Sequence, residues 1–205
     1  MHPLAIELNE ALKGTIADAM LSDVGRRIFF PKGIVAQAAE AGSQAKRFNA
    51  TVGMSTSGGQ PMHLTDIYNK FDTTTFKPAD IFAYAPGGGD QRLRARWKEE
   101  MVKKNPTLEK KKFSLPIVTA GLTHGLSIIG QLFFQAGDTL VVPDLAWDNY
   151  ELIYVHQLDA KIVSFPFYND KGGFNVEAMV SALRSIPSKR GRLLLNFPNN
   201  PTGYT

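Results

Sequence analysis

From residue 113 onward, short β-rich runs alternate with stretches of helical spacing, and no other feature restricts the fold so tightly. LPIVTA at 115–120, GDTLVVP at 137–143, AKIVSFPF at 160–167 and RLLLNF at 192–197 have the branched and aromatic content of strands. Between them, HGLSIIGQLFFQA at 124–136, WDNYELIYVHQL at 147–158 and FNVEAMVSALRSI at 174–186 carry apolar residues at helical intervals, the last with Asn175 as its cap. Strands alternating with helices of this length predict a three-layer α/β/α fold around a mostly parallel sheet. The first third differs. GIVAQAAEAGSQAKRF at 33–48 and GDQRLRARWKEEMVKK at 89–104 read as helices and NATVGMSTSGGQPMHL at 49–64 as an irregular loop, an N-terminal arm or small lobe leading into the layered body.

The 205 residues, 43% of them hydrophobic, suffice for a substantial core. Cysteine is absent, which removes disulfides and thiolate chemistry, and the four histidines show no HExxH or other ligand spacing, so no metal site is expected. The net charge of +4 is spread along the chain; its one dense run, KKNPTLEKKKF at 103–113, has no interleaved aromatics to stack bases and reads as a solvated loop, so no nucleic-acid partner is expected. LSIIGQLFF is broken by Gly130 and Gln131 and is too short for a membrane span, and the start lacks a basic-then-apolar leader, so a cytoplasmic location is expected. SQAK at 43–46 has the SxxK spacing of some acylases, but without SDN and KTG it reads as surface helix.

In open α/β sheets the ligand lies beyond the carboxyl ends of the strands, where loops enter helices. Three such loops carry candidate chemistry. TAGLTHG places Gly121, Leu122 and Thr123 at a helix start whose free amides favour an anion; equally, it is an ordinary helix start capped by Thr123. PDLAWDNY places Trp147 where it offers a flat face for stacking, or packs on the core. In PNNPTG, Pro198 and Pro201 fix φ and Gly203 permits positive φ, so that Asn200 is held rigidly as an amide donor, or Asn199 and Asn200 merely satisfy their own backbone. An anion cradle, a stacking ring and an amide donor together suit a flat, phosphorylated heteroaromatic with a ring oxygen, a description that pyridoxal 5′-phosphate meets.

These segments resemble the fold type I, class I/II aminotransferases, and occur in the family's order. NNPTG resembles its NPTG motif, which implies that Asn200 contacts the cofactor's phenolic oxygen. TAGLTHGL is similar to its phosphate loop, implying backbone contacts from Leu122 and Thr123, and DLAWDNY to its stacking segment, implying Trp147 over the pyridine ring. YAPGGGDQRLRARW resembles the stretch whose tyrosine, here Tyr84, reaches the phosphate of the neighbouring subunit, and NATVGMSTSGGQP the loop whose glycine, here Gly53, lies near the substrate carboxylate. The resemblance implies a homodimeric pyridoxal-phosphate enzyme moving an amino group between an amino acid, aromatic or acidic, and a 2-oxo acid. It implies residues 1–64 as arm and part of a small domain, and 65–205 as the first part of a large cofactor-binding domain. The family's Schiff-base lysine and substrate arginine follow NPTG, so they are expected beyond Thr205, no catalytic residue is expected within the chain, and the chain is expected to be a fragment. The alternatives are a catalytically inactive or binding-only chain, and a related lyase or synthase of the same fold.

Overall fold

The computed structural model describes residues 1–29, 34–49, 51, 55–187 and 191–205, with residues 34–36 described by their backbone alone. The chain forms two compact units, Met1–Phe30 with Thr119–Thr205, and Pro31–Val118.

In the first unit three short helices come first: α1 (Pro3–Leu12), α2 (Ile16–Met20) and α3 (Asp23–Arg27). Each starts at a side-chain cap, from His2, Thr15 and Ser22 respectively, which satisfies an amide the helix cannot. The second unit begins with α4 (Ile34–Gln44). Thr56–Ser57 (β1) and Gln60–Pro61 (β2) follow as an antiparallel pair, in a stretch expected to be irregular. The Gly58–Gly59 pair between them, with φ of +59° and +76°, supplies the doubly left-handed turn that two-residue hairpins require. Helices α5 (Thr65–Tyr68), α6 (Pro78–Phe82) and α7 (Gln91–Lys104) complete this unit, the last capped by Asp90 and followed by a 3₁₀ turn at Pro106–Leu108.

The expected strand at 115–120 does not form. Its backbone is engaged by groups other than a neighbouring strand: Arg94 Nε donates to Pro116 O (2.6 Å) and Val118 N to Gly88 O (3.0 Å), while just ahead of it Lys98 Nζ donates to Phe113 O (2.8 Å). Lys98 also sits 4.4 Å from the centre of the Phe113 ring. Branched residues favour extended backbone, but a strand needs a partner ladder, and here α7 takes the Pro116 carbonyl instead.

Back in the first unit, α8 (Leu122–Phe133) leads to β3 (Thr139–Pro143), a π-helical segment (Glu151–Gln157), β4 (Lys161–Phe165), α9 (Val176–Ser185, capped by Asn175) and β5 (Arg192–Leu193). The three strands make a parallel sheet in the order β4-β3-β5. β3 is central and buried along its whole length. Leu140 and Val142 face one side, against Tyr150, Ile153 and Tyr154, with Leu126 and Phe134 packed over them; Val141 faces the other, with Phe165, Ile186 and α9's Ala178, Met179, Ala182 and Leu183. This is the expected α/β/α layering. The chain steps from β3 to β4 on one side and then back across to β5, and right-handed crossovers in opposite directions put their helices on opposite faces.

Two further expectations are corrected. The helix at 147–158 becomes a turn followed by wider π-helical turns at Glu151–Gln157, an arrangement that keeps Tyr150, Ile153 and Tyr154 together against the sheet. RLLLNF pairs only over Arg192–Leu193, with Leu194 N adding a bond to Val141 O (3.0 Å). Beyond it the chain enters the Phe197–Pro198 turn, where proline has no amide to give and restricts the residue before it.

The N-terminal helices meet the π-helical segment through three rings. His2 stacks on Phe29 at 4.0 Å, and the buried edge of His156 meets Phe29 at 4.8 Å, with Arg27 Nε donating to His156 O (3.4 Å). Burial, the dominant cause, holds the His156 imidazole below its ordinary 6.5; Glu151 pulls the other way, while His2, the Met1 amine and Arg27 reinforce burial.

Two outcomes are expected. Phe165→Ala removes a fully buried ring from the α9 face, and a denaturant-midpoint shift equivalent to about 3–5 kcal/mol is predicted. Because His156 is held neutral in the fold, its contribution is complete above pH 6.5 and is lost as the pH falls below that value through the lower folded-state value. Urea midpoints compared between pH 7.5 and 5 should therefore drop on the acid side, and His156→Leu should flatten that drop.

Candidate active site

The strand ends define the candidate site, and the direction of α8 decides what reaches them. Arg192, the first residue of β5, donates from Nε to Phe133 O at the end of α8 (2.8 Å) and pairs with Asp138, just ahead of β3, at 2.8 Å. Its guanidinium also lies 4.8 Å from the centre of the Phe134 ring. Nearer the other end, Tyr154 Oη donates to Leu126 O (3.4 Å). The helix is thus fastened by its C-terminus to the starting edge of the sheet, and its N-terminus points toward the carboxyl edge. Its 12 residues span roughly 18 Å.

At that N-terminus Gly121 holds the cap position with φ of +86° and gives no side-chain bond to the first amides. Gly125 N bonds Gly121 O at 3.3 Å, so the amides ahead of it, on Leu122, Thr123 and His124, face outward without a side-chain cap. Thr123 therefore lies inside the first turn and is not the cap. Thr119 Oγ1 donating to Gly121 O (3.0 Å) and His124 Nδ1 accepting from Ala120 N (3.1 Å) hold the turn in shape. Uncapped amides at the positive end of a helix dipole form an anion site, here open to solvent: Leu122 is 81% exposed.

The loop after β3 carries Trp147. Its indole is half-buried, edge-on to Tyr150 with centroids 5.7 Å apart and planes at 89°, and packed against the core cluster on the α8 face. The packing expectation thus holds for the indole, which keeps part of its surface in contact with solvent. Burial raises the Tyr150 hydroxyl above its ordinary value, against a hydrogen bond with the Asn196 side chain, so at neutral pH it is a protonated donor. Asp144 joins the ends of β3 and β4: its Oδ1 accepts from Phe167 N (2.8 Å) and Leu145 N (2.9 Å).

After β5, the turn NNPTG divides its two asparagines. Asn199 is buried and spent: Oδ1 accepts from Thr202 N (3.2 Å) and Thr202 Oγ1 (2.9 Å), and Nδ2 donates to Leu145 O (3.2 Å) in the Trp147 loop. Asn200 is exposed, and among the described residues its side chain makes no hydrogen bond.

The structure therefore brings the Trp147 loop and the Asn200 turn into direct contact and aims the first turn of α8, with Leu122 and Thr123, at the same edge. Tyr84 belongs to the other compact unit and is fully exposed, at 104%. Gly53 lies outside the described residues. Sequence reasoning passed over Asn199 and Asp144 as functional residues. The signals were present: a polar residue directly after a buried strand, and a doubled asparagine between two prolines.

Comparison with known proteins gives the family and the fold. The family model for aminotransferase class I and II matches residues 64–205. Over 88 residues, 43% of this chain and 21% of the relative, the sequence is 33% identical to an aspartate aminotransferase of Musicola paradisiaca. The fold is similar to the crystal structure of an aminotransferase from Anaerococcus prevotii, at 26% identity and a TM-score of 0.66, covering 91% of this chain and 46% of that one. It is also similar to the cytoplasmic aspartate aminotransferase of Saccharomyces cerevisiae, at 16% identity and a TM-score of 0.68, covering 85% and 44%, a likeness that shows the fold alone. The chain spans about half the length of these solved relatives.

Gly121→Ala tests the α8 start. A Cβ there meets nothing within 4 Å, so the whole cost comes from the left-handed backbone. A loss of about 1–2 kcal/mol in denaturant titration is expected.

Proposed function

The chain belongs to the aminotransferase class I and II family, and from that premise we propose a pyridoxal-phosphate-dependent aminotransferase that moves an amino group between an amino acid and a 2-oxo acid, acting as a cytoplasmic homodimer. The observation that carries this reading is the uncapped first turn of α8 aimed at the strand edge where Asn199 ties the Trp147 loop to the Asn200 turn.

The residues fit the cofactor. Amides of Leu122 and Thr123, at an uncapped helix start beside a glycine with open space around it, suit its phosphate. The half-exposed indole of Trp147 suits its ring. Asn200, with its amide unspent, suits the ring oxygen as a donor. From the other unit, Tyr84 is the candidate for reaching the phosphate of a second subunit, its exposure leaving the hydroxyl free to do so. Gly53 remains the candidate near the substrate carboxylate. When bound, pyridoxal phosphate supplies an electron sink for the bond cleaved at the substrate carbon. This chain's own residues bind and orient: the α8 amides hold an anion without adding a titratable group, Trp147 limits ring tilt, and Asn200 polarises the ring oxygen. The division into 1–64 and 65–205 is proposed for the domains of the complete enzyme; among the described residues no helix is long and apolar enough to cross a membrane.

The deciding experiment supplies the complete enzyme with pyridoxal phosphate, an amino acid and 2-oxoglutarate, and analyses products. Transfer yields a new 2-oxo acid and glutamate in equal amounts; elimination or condensation products would point to a lyase or synthase, and no turnover with any donor would remove the assignment. Trp147→Ala and Asn200→Ala should each weaken cofactor retention, measured by equilibrium dialysis, by about 1 kcal/mol or more.

A further inference from the structure

We propose that Asn199 is a positioning residue for the cofactor-binding loops, the side chain that fixes the Trp147 loop and the Asn200 turn relative to each other. The proposal rests on the cofactor reading above for its purpose, and on geometry alone for its existence.

Asn199 is 4% exposed and, among the described residues, shares the class of buried polar residues with Thr139 alone. Burying a carboxamide is costly unless its donors and acceptors are met, and here they are met from two directions. Within the turn, Oδ1 takes both Thr202 donors, while the backbone closes with Asn199 N to Tyr204 O (2.8 Å) and Gly203 N to Asn199 O (2.7 Å). Across to the next loop, Nδ2 donates to Leu145 O, which lies 54 residues away in sequence and two residues before Trp147. Asn199 thus stands next to Asn200 along the chain and next to the Trp147 loop in space, without itself facing the ligand edge.

The residue type follows from both duties. A carboxylate would retain the Thr202 bonds but present an anion to the Leu145 carbonyl, and would add negative charge where an anionic cofactor is to enter. Serine or alanine would not span the gap. Only a neutral side chain with a donor and an acceptor on one planar group serves both loops.

The chain holds two tryptophans, so in a Trp97→Phe background Trp147 emission reports the loop directly, with no ligand needed. Asn199→Ala and Asn199→Asp, at about pH 8, should red-shift that emission and lower its anisotropy. The dissociation constant for pyridoxamine 5′-phosphate, a probe with no aldehyde to react with surface lysines, should rise about tenfold. On lowering the pH to about 5, the new carboxyl of Asn199→Asp protonates and regains a donor toward Leu145 O, and its emission should return toward the parent while Asn199→Ala stays shifted. Thr202→Val, which loses bonds only within the turn, should melt lower yet keep the parent emission. The proposal is overturned if Asn199→Asp, folded by circular dichroism, matches the parent at both pH values, or if Thr202→Val shifts the emission as far as Asn199→Ala. Should Asn199→Ala fail to fold, the pH comparison in Asn199→Asp still decides. The cofactor reading is decided separately, by probe binding to the complete enzyme, and the ligand-free emission settles the tether.

Discussion

The central strand carries the first unit. Thr139–Pro143 is buried on both faces and bonded on both sides, and because successive side chains point in opposite directions, it feeds two cores at once. Leu140 and Val142 recruit α8 and the π-helical segment, Val141 recruits α9, and the layered body is the consequence. A strand wetted on one face would alternate apolar with polar residues; LVV has no such alternation, because neither face meets water.

Order at the carboxyl edge comes from polar groups. Burial brings β3, β4 and β5 side by side, but it does not specify how three loops of differing length emerge from them. Asp144 and Asn199 do that by accepting or donating across loops, and Tyr204 adds a tie by accepting from Phe174 N (3.2 Å). Each such group is partnered, and for Asn199, the buried one, this gives definition without the cost of an orphaned dipole.

The layered half was legible in the sequence because its periodicity follows burial, and Asn175 announced the start of α9 by its chemistry. LPIVTA misled for a physical reason: strand propensity describes what a residue tolerates, whereas a ladder depends on a neighbour, and here Arg94 takes the Pro116 carbonyl and Gly88 O the Val118 amide. The π-helical widening left no mark on the apolar pattern. The candidate site was legible only as a set of loops at the strand ends, since NNPTG and the glycine before α8 are constrained by backbone geometry. Which asparagine is spent and which is available was not, because the two differ only in the partners that folding brings.

One consequence follows from where α8 is fastened. Arg192 grips the helix at the edge remote from the candidate loops, so without the second tie from Tyr154 to Leu126 O the far end would behave as the tip of a lever pivoting on a single guanidinium. Over its length, a swing of about 5° carries the leading amides roughly 1.5 Å, a distance that matters to any group held by aligned donors. The Leu126 tie shortens that lever, so drift at the guanidinium reaches the leading turn only in part.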